Sequence, residues 1–209
     1  GTTLEDTQSS SGLVISRNAV DGTEAVSYTL PNITSGTLYQ NDGTTSISSG
    51  SFITYAEGNA GLKLSPTGDF NGSASFKLQA SLSSVDGGLG GSVVTATITI
   101  SPVADTPSIT GGTTLEDTQS SSGLVISRNA VDGTEVTHFK ITNITSGTLY
   151  QNDGTTSISS GSFITYAEGN AGLKLSPTGD FNGSASFKLQ ASLSSVDGGL
   201  GGSLVTATI

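Results

Sequence analysis

The sequence predicts an all-β chain of two tandem Greek-key β-sandwiches joined end to end, and three observations lead there. First, GTTLEDTQSSSGLVISRNAVDGTE opens at Gly1 and again at Gly112, an offset of 111 residues. A unit of that size can bury a core of its own, so the 209 residues divide in two. Second, no stretch shows a helical period of useful length. Third, about seven short apolar or alternating runs per hundred residues are separated by glycine-rich turns, the pattern of a sandwich. The expected organisation is a first sandwich over 1–102, a linker over 103–107 and a second sandwich over 108–209.

The two copies read alike along the chain. Residues 1–11 are polar and contain LEDT. LVIS at 13–16 is a short buried-strand candidate, followed by RNAVDGTE with turn chemistry at Asp21-Gly22. Residues 26–30, 37–40, 46–48 and 52–55 alternate as strands do. LKLSP follows EGNAG, and GDFNG at 68–72 reads as a turn. Two longer strands are expected at 73–82 and 92–100, joined through VDGGLGG. Only the second copy has SIT at 108–110 ahead of its LEDT, and that stretch looks like a first strand. The second copy in turn stops at Ile209, ahead of any SPVADTP. With Gly1 opening inside a repeat and no initiating Met, the chain reads as an excerpt of a longer protein.

Divergence between the copies tests the strand phase. Over 98 aligned positions eight differ, and seven of these fall together, where AVSYTLP at 25–31 becomes VTHFKIT at 136–142. Tyr28 becomes Phe139 and Leu30 becomes Ile141, so alternate positions stay apolar. Ser27 becomes His138 and Thr29 becomes Lys140, so the positions between them accept charge. This predicts one buried and one wet face. Tyr28, Leu30, Phe70, Phe76 and Leu78 are the expected core, with Phe139, Ile141, Phe181, Phe187 and Leu189 as their counterparts. The eighth change, Val93 to Leu204, is conservative.

Composition bounds the function. Apolar content is 33%, but about 45% once glycine is counted and tyrosine left out, the ordinary globular range. Glycine, with 29 residues, stands at about twice its usual share, which suits short strands and tight turns. Seventeen acids against seven bases leave a net charge of −10. That charge repels nucleic acid and anionic membrane surfaces and suits cations. There is no cysteine, hence no disulfide framework and no thiolate metal site. No apolar run reaches the length of a membrane span, and no signal peptide is present. Catalysis has little to draw on. The one histidine, His138, matches Ser27 of the other copy, and the serines have neither a base nor an oxyanion hole in sight. Near-identical tandem copies point to length rather than to an active site, so the chain is not read as an enzyme.

Acids recur in each copy at LEDT, VDGTE, NDG, AEG, GDF and VDGG. Asp and Asn cap turns and tolerate unusual φ, and that reading suffices for Asp42 and Glu57. For the others the rival is a hard cation such as Ca²⁺, which takes six to eight oxygens, since a sandwich gathers distant loops at its poles. An EF-hand loop is absent. GGLGGS occurs once per repeat without the aspartate of a calcium β-helix, and reads as a hairpin loop.

Taken in order, NAVDGTE before an aromatic-alternating strand, LSPTGDFNG before SASFKLQA, and TATITISPVADTP resemble the bacterial cadherin-like repeats of large surface adhesins. The resemblance covers the whole repeat. It implies calcium between consecutive domains, with Glu5 of LEDT, Asp69 of GDF and the linker acid Asp105 as ligands. It also implies Asp132 with Glu135 close by, and Asp197 of VDGG, from the second domain. Here the linker holds a lone acid between Pro102 and Pro107, and DGTE stands where the family has a two-acid DxD. Fewer carboxylates imply fewer ions per joint. The function implied is an extender or adhesion module at the cell surface, outside the cell. Its partners would be neighbouring repeats of the same chain, with cell-surface or glycan ligands reached through other domains. No nucleic acid and no direct membrane insertion are expected. The alternative is a carbohydrate- or protein-binding sandwich without structural metal. It would need exposed aromatics on one face, yet there is no tryptophan, and Tyr39, Tyr55, Tyr150 and Tyr166 lie within strand patterns.

Overall fold

The computed structural model describes residues 1–10 and 13–209. Ser11, the last residue of the polar leading segment, and Gly12 lie outside the described residues. Two compact units, Gly1–Pro102 and Val103–Ile209, make up the chain.

In the first unit the elements run β1 (Thr2–Leu4), β2 (Ser27–Thr29), β3 (Ile33–Thr34), β4 (Gly36–Tyr39), β5 (Ser46–Ile47), β6 (Phe52–Thr54), α1 (Tyr55–Ala60), β7 (Lys63–Pro66), β8 (Gly72–Ser81) and β9 (Leu89–Ser101). One sheet is ordered β1-β9-β8-β2-β6, with β3 also on β8, and the other β5-β4-β7. The two longest strands, β8 and β9, pair antiparallel, and their alternation decides the core. Ala74, Phe76, Ile98 and Ile100 point inward and are buried, whereas Ser73, Lys77, Thr97 and Thr99 are exposed. They pack with Leu38, Ile47 and Leu64 of the smaller sheet into one cluster, the interior of a sandwich. Tyr28 and Leu30 are buried as the repeat comparison predicts, and Phe70 and Leu78 lie half-buried at the margin.

The second unit repeats this plan with β10 (Ser108–Ile109), β11 (Ile126–Ser127), β12 (His138–Thr145), β13 (Gly147–Tyr150), β14 (Ser157–Ile158), β15 (Phe163–Thr165), α2 (Tyr166–Asn170), β16 (Lys174–Pro177), β17 (Ser186–Ser192) and β18 (Leu200–Thr208). Its sheets are ordered β15-β12-β17-β18 and β14-β13-β16, with β10 and β11 as a separate pair. SIT does form a first strand, since Ile109 pairs with Ile126. Residues 103–107 pack on this unit. Ala104 is 1% exposed and belongs to its core, and Pro107 is buried.

Three features depart from the sequence reading. A short helix stands where none is expected: the run at 52–55 leaves the sheet at Thr54, and Tyr55 begins α1. The cause is a capping box. The Glu57 amide donates to the Thr54 hydroxyl at 3.2 Å, and Glu57 Oε2 accepts from the Thr54 amide at 2.6 Å. Thr165 and Glu168 do the same in the second unit. The helix lies so close on the core that a methyl group at Gly169 would stand 2.9 Å from the Phe139 ring. Second, GTTL is not merely polar lead-in, because β1 pairs in parallel with β9 at Thr3 and Ile100. Third, the face expected to be wet is covered in the first unit. Ser27 and Thr29 are 6% and 7% exposed, because β2 lies between β6 and β8 and its small side chains are shaded from both sides. No helix among the described residues is long and apolar enough to cross a membrane.

Candidate metal centre

Each unit gathers its acids through loops that the repeat builds twice. In the first unit, LEDT follows β1 and GDF precedes β8. Asp6 and Asp69 both adopt a left-handed φ of 56°, a conformation that aspartate tolerates better than most residues. The Asp69 amide donates to Asp6 Oδ1 at 2.9 Å, and the two carboxylates approach within 4.8 Å. Glu5, one residue earlier, is 3% exposed, and its Oε2 accepts from Asn71 Nδ2 at 3.4 Å. The loops are thus clamped together by Asp6, which the sequence reading passed over in favour of its neighbour. The second unit has the same clamp between Asp117 and the Asp180 amide, also 2.9 Å. LEDT carries two acids, and that was the available signal.

In the second unit, Asp105 and Asp132 are brought together: Asp132 Oδ1 accepts the Asp105 amide at 2.7 Å. Asp132 is 1% exposed. Glu135 closes the same loop, its amide donating to the Asp132 carbonyl at 3.2 Å. Arg128 braces this loop from beneath, with Nε donating to the Val136 carbonyl and Nη1 to that of Gly133. Asp197 goes elsewhere. It lies in a 3₁₀ turn before β18, with its side chain 70% exposed, and binds Lys140 Nζ at 2.5 Å. Lys140 replaces Thr29 of the other copy, so this ion pair belongs to the second unit's divergent strand.

The donor set fits a hard cation. Carboxylates and backbone carbonyls are its usual ligands, and an acid is seldom buried without a positive or hydrogen-bonding partner. Glu5 and Asp132 are the two buried acids among the described residues. Asp42 and Asp153 show the contrasting arrangement. Each caps its own turn, accepting from Thr44, Thr45 and the Thr45 hydroxyl, or from the counterparts Thr155 and Thr156. Those hydrogen bonds, the Thr45 and Thr156 hydroxyls first, hold both carboxyls down to about 2. Glu57 and Glu168 are lowered by their capping boxes, chiefly through the Thr54 and Thr165 amides. The Tyr55 and Tyr166 rings are each covered by a cation, since the Arg17 guanidinium lies 3.6 Å from the Tyr55 ring centre and Arg128 stands equally close to Tyr166.

No protein-family model matches the chain, and no curated protein matches it by sequence. Among solved structures, the chain is similar to the crystal structure of human CDH23 EC21-23, at 9% identity and a TM-score of 0.48, over 99% of this chain and 70% of that one. It is also similar to the C terminal domain of the Streptococcus agalactiae AgI/II polypeptide BspA, at 13% identity and a TM-score of 0.28, over 93% and 86%. A third similarity is to Parabacteroides merdae beta-glucuronidase, at 11% identity and 0.31, over 83% of this chain but 20% of that one. Similarities at 9% to 13% identity and TM-scores of 0.28 to 0.48 transfer neither activity nor metal content to the present chain.

Proposed function

We propose that the chain is a pair of non-enzymatic extender modules of a surface adhesin, working outside the cell, and that its acids take calcium to stiffen the proline-bracketed stretch 102–107. The observation that carries this reading is the burial of Glu5 and Asp132 in loops built from the repeat's own sequence. Buried carboxylates are costly unless a cation or donors offset their desolvation. The near-identity of the copies supports the mechanical part, because an array needs each unit to continue the next. Glu5 and Asp69 would contribute from the first unit, and Asp105, Asp132 and Glu135 from the second. Asp197 would have to exchange Lys140 for the ion.

Calorimetric titration of the whole chain with Ca²⁺ tests this. Saturable binding is expected, abolished by Asp105→Ala or Asp132→Ala and untouched by Asp42→Ala. At a hundred times its dissociation constant the ion should stabilise the folded chain by about 2.7 kcal/mol. Absence of binding at millimolar Ca²⁺, or an equal loss in Asp42→Ala, would remove calcium from the proposal. A specific hit on a glycan array would displace the extender role in favour of a binding sandwich.

A further inference from the structure

Within the first unit, β1 is the first strand and β9 the last, and the two lie side by side. β1 runs parallel to the end of β9, with Thr2 opposite Thr99, Thr3 opposite Ile100 and Leu4 opposite Ser101. The Gly1 nitrogen donates to the Thr97 carbonyl at 3.2 Å, and the Gly1 carbonyl accepts the Thr99 amide at 3.0 Å. Four residues on, the Glu5 amide donates to the Ser101 carbonyl, also at 3.0 Å. A parallel ladder engages every second residue of a strand, so Thr3 fills the place between Gly1 and Glu5. Thr2 and Leu4 turn their main-chain groups away from β9, and the Leu4 carbonyl takes the Thr7 amide at 3.3 Å.

Direction decides what this pairing resists. Two parallel strands start at one end of their ladder and finish at the other. Tension between Gly1 and Ser101 therefore draws β1 and β9 past each other along their length. Every rung is loaded at once, whereas the same rungs pulled from one end would part in turn. β9 cannot give way easily, because it is paired along its length with antiparallel β8 and its Ile98 and Ile100 are buried in the core. At the other strand, the last rung sits on Glu5, whose side chain is itself buried. The remaining elements lie between β1 and β9 in the chain, so tension reaches them only after this ladder yields.

We propose that β1 and the end of β9 form a shear clamp that sets the force at which the first unit unfolds. The clamp deepens the extender reading, on which its use to the protein rests, and it requires no metal. Forced unfolding is governed by the unfolding barrier, so a few bonds in the load path outweigh many outside it. Within β1 the critical position is Thr3, the central rung. Its neighbours Thr2 and Leu4 carry no rung.

Unfolding of the whole chain in optical tweezers tests this. With handles on its two ends, two unfolding events are expected, one for each unit. Thr3→Pro removes the central donor and should lower one of the two forces to about half, leaving the other unchanged. Thr2→Pro places the same ring one residue away, where no rung is lost, and should lower neither. Pulling direction supplies a second arm that leaves the clamp residues untouched, should Thr3→Pro weaken the unit as a whole. A handle on Gly87→Cys, in the exposed turn before β9, paired with one on Gly1 peels β1 rung by rung. A side chain at Gly87 meets nothing within 4 Å, and the chain has no other cysteine to compete. The peeling force should be about half the end-to-end value or less. The proposal is overturned if Thr2→Pro and Thr3→Pro act alike, or if peeling takes as much force as the end-to-end pull. Calcium calorimetry and the glycan array bear on neither result, so the clamp and the extender reading fail separately.

Discussion

Two units that differ at eight positions out of 98 do not form the same strand. In the second, β12 is one strand of eight residues that pairs with β17 through Thr142 and Lys188 and bulges before Thr145. In the first, the same span splits into β2 and β3, with Pro31 where Thr142 stands. Apolar alternation is retained across both copies, so hydrophobicity is not the cause. Proline has no amide to give the ladder, and its fixed φ turns the chain out of the sheet. The divergent patch has a second consequence. Tyr28 is 2% exposed and its hydroxyl has no hydrogen-bond partner, while Phe139 fills the same place with no polar atom. Burial accordingly pushes the Tyr28 phenol up, with Arg17 drawing it partly back.

The sharpest way to break this comparison is to exchange the proline. Thr142→Pro should divide β12 as β2 and β3 are divided, and should destabilise the second unit by about 1–3 kcal/mol, the range for leaving a paired backbone group unsatisfied. Native-state amide exchange read separately in the two units measures it. Unchanged protection across 138–145 would mean that the proline follows the break instead of causing it. A smaller effect is expected at the buried hydroxyl. Tyr28→Phe should stabilise the first unit by about 1 kcal/mol, and Phe139→Tyr should cost the second a similar amount. Opposite signs for the two substitutions, by denaturant melts of the whole chain, are the signature; a loss on Tyr28→Phe would show that the hydroxyl is satisfied in solution.

The smallest difference should be none at all. Asp42 and Asp153 sit in identical turns with identical donors, and both are held at about 2. A depressed folded value means that each turn contributes stability above the unfolded carboxyl range, near pH 4, and loses it as pH falls through about 2. Carbon-detected titration should give the two carboxyls one common midpoint. A separation of a full unit would show that the turns are not equivalent, and that the divergent strand is felt beyond its own sheet.

Part of this protein is written in local sequence. Alternation placed Phe76, Phe187, Leu30 and Ile141 in the core, because a pleated strand sends neighbouring side chains to opposite faces wherever it lies. The turn at Asp42 was legible for a similar reason, as its carboxylate binds amides two and three residues away. Even the helix at Tyr55, too short to show a helical period, has a local mark in T-Y-A-E.

Other features depend on what lies alongside. The stretch LVIS at 124–127 pairs through β11 with Ser108 and Ile109, and LVIS at 13–16 bridges from Leu13 to Leu62. GTTL likewise becomes a strand at β1 through Thr99, Ile100 and Ser101, which run beside it from the far end of the same unit. The same holds for the acids. Sequence pointed to Glu5 and Asp69, but only the folded loops show Asp6 joining them, and only the neighbour Lys140 draws Asp197 away. A side chain's direction follows from the backbone beneath it, so sequence decides it. A strand's pairing and a carboxylate's partner come from residues tens of positions distant, so the tertiary structure decides those.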